Sequence, residues 1–187
     1  MIEINQILII IIPPIFATIG YSLKYVLDNR SEHFKNQKIE KLKIIETKLK
    51  TFYYPIHFNL LKENIIWQKI LNFYKQNADI PNNQVNMFWE LDKELLDIHV
   101  QNQNIIKDCI VDIKPDDNLK KVLLKYDEHT TIYNIIRKLD KSRPSNMRDV
   151  AWPTNFGSKY PYELNGLIET KLQKYRNRQE ELRSTIV

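Results

Sequence analysis

Residues 4 to 23, INQILIIIIPPIFATIGYSL, hold no Asp, Glu, Lys or Arg and show no polar face at helical spacing. Roughly 20 apolar residues of helix cross about 30 Å of hydrocarbon, so this run has the length of a membrane span. A secretory signal would place positive charge ahead of a shorter apolar core and small residues behind it; here YSLKYVLDNR follows, and cleavage is not expected. Pro13 and Pro14 remove two backbone donors and predict a kink, which membrane helices accommodate. Ile4, Ile7, Leu8, Ile11, Phe16, Ile19 and Leu23, with the two prolines, are the expected anchor residues, and Tyr21 and Tyr25 sit where an interfacial aromatic belt belongs. The competing reading is a buried helix of a soluble domain.

Lys24, Arg30, Lys35 and Lys38 lie just after the run, so the bulk of the chain is expected on the cytosolic side of a single-pass protein. The formal charge of +5 is modest and basic residues alternate with acidic ones. A one-sided basic stripe is missing, and nucleic acid is not an expected partner. One cysteine, Cys109, excludes an intramolecular disulfide and a multi-cysteine zinc site.

Beyond the anchor the pattern is helical. Ile39, Leu42, Ile45, Leu49, Phe52 and Ile56 recur at spacings of three and four. Pro55 marks a kink or the first turn of a new helix running to about residue 76, and QNADIPNN at 76 to 83 reads as a loop. Phe88, Leu91, Leu95, Ile98, Asn102, Ile105 and Cys109 make another stripe. After the turn KPDDN, so do Leu119, Val122, Tyr126, His129, Tyr133 and Ile136. If that turn folds the two helices antiparallel, Asn102 comes level with His129, with His99 close by. A buried polar cluster of His99, Asn102 and His129 is therefore expected, either as a structural network or with His129 as a pH switch.

The segment KSRPSNMRDVAWPTNFGSKYP at 141 to 161 has no helical period. Its Trp152 and Phe156 either fold back onto the helices or anchor a partner. A last helix begins near Pro161, and Lys171, Lys174 and Arg178 on its basic face are further partner-binding candidates. The expected fold class is all-α: an N-terminal transmembrane helix followed by an antiparallel bundle of about four to five helices. The expected divisions are 1–28 as anchor, 29–140 as bundle, 141–160 as irregular loop and 161–187 as a C-terminal helix packed on the bundle.

No glycine-rich phosphate loop, HExxH, CxxC, GxSxG or paired-carboxylate pattern is present. No catalysis, metal, cofactor or small-molecule substrate is expected.

The stretch KLKTFYYPIHFNLLKENIIWQKI at 48 to 70 resembles a segment of uncharacterised single-pass helical membrane proteins of nucleocytoplasmic large DNA viruses. The match runs through Phe52, Tyr53, Pro55, Ile56, Glu63, Asn64 and Trp67. DIHVQNQNII at 97 to 106, LLKYDEHTTIYNIIR at 123 to 137 and YPYELNGLIETKLQKYRNRQEEL at 160 to 182 are similar to later helices of those proteins. The resemblance implies a virion membrane protein or minor capsid component linking an internal membrane to the capsid shell, with the bilayer and other structural proteins as partners. The alternative function is a membrane-perturbing effector, a toxin or antiviral defence protein acting through the span; no small-xxx-small seam supports helix assembly there.

Overall fold

In the computed structural model, residues 4–75, 82–139 and 150–186 are described, with side chains from residue 18 onward other than 74 and 82–84. The elements of the described residues are all helices, with no strand among them. Helix α1 (Ile4–Lys48) leads through a π-helical turn (Leu49–Tyr53) into α2 (Tyr54–Lys75), followed by α3 (Asn82–Ile113) and α4 (Asp117–Leu139). A 3₁₀ turn (Pro153–Phe156) precedes α5 (Glu163–Ser184). The contacts divide the chain into two compact units, Met1–Ile44 with Gln179–Val187, and Ile45–Arg178.

In the first unit α1 is assigned as one continuous helix through Pro13 and Pro14. At 1.5 Å per residue its 45 residues span about 67 Å. Ile4, Ile7, Leu8, Ile11, Pro13, Pro14 and Phe16 fall outside the described side chains. Ile19 and Leu23 are described, and both are exposed. Among the described residues no helix is long and apolar enough to cross a membrane. Lys38 Nζ donates to the Thr185 carbonyl at 3.3 Å, and Leu182 is buried.

The second unit begins where α1 meets its π turn, and Pro55 explains that turn. Proline brings no N–H for the carbonyl four residues back, so Thr51 O lacks its α-helical donor. Widening the preceding turn lets the Tyr54 N–H reach Leu49 O instead. The Cys109 thiol then donates to Thr51 O at 3.5 Å from α3. The Thr51 hydroxyl donates in turn to Thr47 O at 2.9 Å. The widened turn also places Phe52 and Tyr53 side by side in the core, 0 % and 1 % exposed. Their rings meet edge to face at 5.1 Å, and Tyr175 of α5 closes on Tyr53 at 5.0 Å. Ile56 is buried with them, while Pro55 and Trp67 are half-buried.

Helix α3 packs against α2, the π turn and α4, and α4 packs against the 3₁₀ turn. One part of the core gathers Ile66, Ile70, Phe88, Leu95, Ile98 and Tyr133. The α3–α4 connection turns at Lys114, whose φ of 48° is left-handed. Asp116 caps α4, its Oδ1 accepting the Leu119 N–H at 3.0 Å, and it also pairs with Lys171 of α5. Gly157, at φ 80°, ends the 3₁₀ turn in a conformation that L side chains rarely adopt.

The loop expected at 76 to 83 falls outside the described residues up to position 81, and α3 starts at Asn82. The irregular segment expected from 141 is described only from Val150, and there it includes the 3₁₀ turn. The last helix starts at Glu163, two residues after Pro161.

Phe52→Ala should lower unfolding free energy by about 3–5 kcal/mol, because it empties a fully buried aromatic site. Asp116→Ala should cost about 1 kcal/mol by uncapping α4. Urea denaturation of the full chain in mild detergent, followed by far-UV circular dichroism, measures both; a Phe52→Ala loss below that for Asp116→Ala would contradict this account of the core.

Candidate functional site

The polar side chains inside the second unit concentrate where α2, α3 and α4 meet. Asn59 and Glu63 are four residues apart on α2 and interrupt its buried stripe of Ile56, Leu60, Ile66 and Ile70. They face His99 and Asn102 from α3, and Tyr126 from α4. Glu63 is only 4 % exposed, and a carboxylate so placed must be hydrogen-bonded. His99 Nε2 lies 3.1 Å from Glu63 Oε1, and the Tyr126 hydroxyl donates to Glu63 Oε2 at 3.0 Å. Tyr126 accepts in turn from Asn102 Nδ2 at 2.8 Å, and Asn102 Oδ1 accepts from Asn59 Nδ2 at 2.9 Å. Burial and the charge of Glu63 push the Tyr126 and Tyr160 hydroxyls well above the usual phenol range, so both remain protonated donors.

The structure places His99, Asn102 and His129 all in the interior, 1 %, 0 % and 7 % exposed. It joins Asn102 to Tyr126 and Asn59 rather than to His129. Tyr126, three positions before His129 on α4, stands opposite Asn102 instead. His129 packs its ring against Tyr133 and Tyr160, at 6.4 and 5.4 Å between centroids. Burial first, then the nearby His99, lowers its pKa from 6.5 to about 4. His129 is therefore a neutral imidazole near pH 7.

A second polar group closes the neighbouring layer. Asp92 on α3 accepts from the Tyr133 hydroxyl at 2.5 Å and from Arg137 Nε at 2.8 Å. Arg137 Nη1 donates to the Ala151 carbonyl at 2.8 Å, tying the segment before the 3₁₀ turn to α4. The Arg137 guanidinium lies 4.7 Å from the Tyr133 ring centroid and 5.0 Å from that of Trp152. Trp152 also meets Trp67 edge to face at 5.3 Å, and the Trp152 N–H bonds Asn155 Oδ1 at 2.8 Å. Of the two aromatic partner candidates, Trp152 thus folds back onto the helices, while Phe156 is exposed. Lys171 pairs with Asp116; Lys174 and Arg178 are exposed.

Between these polar groups lies a cavity of about 470 Å³. Trp67, Ile70 and Leu71 of α2, Leu95 of α3, Tyr133 of α4 and Trp152 supply much of its wall, and Glu63, His99 and His129 also reach it. Among the described residues no group of three or more His, Cys, Asp or Glu side chains could hold a metal ion. Cys109, with its thiol on Thr51 O, takes part in neither polar group.

Glu63, Asn59, Tyr126, Asp92, Tyr133 and Arg137 are the members that sequence patterning does not single out. Asn59 and Glu63 leave one trace, a polar pair at i, i+4 within an apolar stripe. Asp92 and Arg137 read as solvated charges until α3 and α4 are superposed.

Comparison of the chain with family models, with curated proteins and with solved structures returns no match.

Tyr126→Phe should cost about 1–3 kcal/mol by leaving the Glu63 carboxylate and the Asn102 amide each short of a partner. Asp92→Ala should cost about 3–5 kcal/mol by stranding the buried Arg137 guanidinium. Both are read from denaturant midpoints of the full chain. His129 sets a pH dependence of definite sign. Its folded pKa is depressed, so its contribution is fully present above pH 6.5 and is lost as pH falls toward 4. That loss reaches about 3 kcal/mol. His129→Gln should flatten the stability profile in this window, and an unchanged slope would contradict the placement of the ring.

Proposed function

We propose that this chain is a single-pass membrane-anchored binding protein, in which α1 holds a helical module at a bilayer and the module works by contact with other structural proteins. The observation that carries the reading is α1 itself. Its first twenty residues are uncharged, and every described side chain from position 18 to 37 is exposed. Ile19, Leu23, Val26 and Leu27 stand among them, each about half exposed or more. Exposed apolar area of this kind is favourable to remove from water at roughly 25 cal/mol per Å². Lipid covers the uncharged part, and Lys24 begins the charged remainder of α1.

A binding role rather than catalysis fits the interior. The Glu63 oxygens are taken by His99 and Tyr126, and those of Asp92 by Tyr133 and Arg137. No nucleophile is paired with a base in either group. A contact face fits the exterior: Tyr54, Phe58, Leu61 and Ile65 are all exposed on α2 at spacings of four, three and four, which aligns them along one side of the helix. In its most specific form the reading is a virion protein joining an internal membrane to the capsid, which rests on the resemblance of residues 48–70, 97–106, 123–137 and 160–182 to membrane proteins of large DNA viruses. The module then lies on the side of the bilayer where Lys24, Arg30, Lys35 and Lys38 lie.

Expressed at full length, the protein should remain with membranes after carbonate extraction and float with them in a density gradient. Ile11→Lys combined with Ile15→Lys should release it, since each lysine near a helix centre costs about 2.5–3.5 kcal/mol of insertion. Recovery of the unaltered chain as a detergent-free soluble monomer would overturn the proposal. For the virion role, the protein should copurify with particles in fixed ratio to a shell protein.

A further inference from the structure

The cavity beside Glu63 has unspent hydrogen-bonding capacity. Buried side-chain nitrogen and oxygen atoms are nearly always partnered. Among the described residues four are not, and three of them, His99 Nδ1, His129 Nδ1 and Asn165 Oδ1, belong to residues that line this cavity. His99 and His129 are both more than nine-tenths buried.

The chemistry of those three atoms is the same. His99 engages Glu63 through Nε2, and its Nδ1 is left without a partner. His129, whose pKa is lowered by burial, is neutral near pH 7, and its Nδ1 has no partner within the fold. Asn165 adds a carbonyl oxygen. Three unpartnered atoms able to accept a hydrogen bond, beside a buried carboxylate, suit a ligand rich in N–H groups and positively charged. The walls agree: Trp67 and Trp152 stand nearly perpendicular, at 82°, with Tyr133 at 60° to Trp152. Ring faces turned toward one another's edges form the kind of aromatic surround that attracts an organic cation. Arg137, which does not line the cavity, already lies against Tyr133 and Trp152, so these rings stabilise positive charge within the fold itself. The volume, about 470 Å³, suits a molecule of small-ligand size.

We propose that this cavity is a binding site for a small protonated amine with a flat apolar body, its N–H groups meeting His99 Nδ1, His129 Nδ1 and Asn165 Oδ1 and its apolar part resting on Trp67, Ile70 and Leu71. The site is built entirely within Ile45–Arg178 and stands independently of the membrane reading.

The test uses the full chain in detergent micelles, with 2-phenylethylamine as probe and 2-phenylethanol as its neutral isostere. Binding is followed by calorimetry and by tryptophan emission. The amine should bind at least ~10-fold more tightly than the alcohol, the factor expected for about 1.4 kcal/mol of charge-dependent attraction, and should quench emission. Trp67→Leu should weaken amine binding ~10-fold or more, and so should Glu63→Gln, while the exposed Met87→Ala leaves it unchanged. Circular dichroism establishes that each variant is folded; should Glu63→Gln unfold, Trp67→Leu decides the matter. Equal affinity for amine and alcohol, no amine binding at millimolar concentration, or binding indifferent to Trp67→Leu would each overturn the proposal.

Discussion

A carboxylate buried at the meeting point of three helices constrains the rest of the second unit. Removing an ionised group from water costs several kcal/mol unless hydrogen bonds replace the lost hydration. Glu63 recovers that cost only when His99 and Tyr126 arrive from α3 and α4. The bond lengths therefore fix the rotation of α2 against α3 and the register of α4 against both. Asn102 and Asn59 extend the same demand one turn further. An apolar core of equal volume would tolerate sliding between helices, whereas these directional bonds do not.

The second polar group extends that order to the segment outside the helices. Asp92 and Tyr133 orient Arg137, and Arg137 holds the Ala151 carbonyl and lies against Trp152. Trp152 then rests on Trp67, so the chain after residue 150 forms a wall of the cavity that Glu63 borders. Pro55 plays the comparable part at the start of the unit. Its missing donor is accommodated by a π turn and the Cys109 thiol, which is why the lone cysteine sits against that turn and away from the polar groups.

Much of the architecture is legible from periodicity. The apolar stripes of α2, α3 and α4 follow spacings of three and four, and the burial of Leu95, Ile98, Val122, Tyr126 and Tyr133 matches them. Asp116 and the turn around Lys114 mark the reversal between α3 and α4. The site was less legible. His99, Asn102 and His129 stand out as polar residues in apolar seams, but Glu63, Asp92 and Arg137 resemble surface charges in a helical sequence. A shift of three positions along α4 is enough to replace His129 by Tyr126 as the partner of Asn102.

The sequence by itself determined the helical character of the chain, the uncharged run at its beginning and the residue types available inside, because hydrophobic spacing and backbone chemistry act over a few residues. Which polar groups meet, which acceptors stay unpaired and whether a cavity forms between them was decided only by tertiary structure. Hydrogen bonds depend on ångström-scale distance and direction between atoms far apart in the chain, and those follow from how the helices rotate against one another.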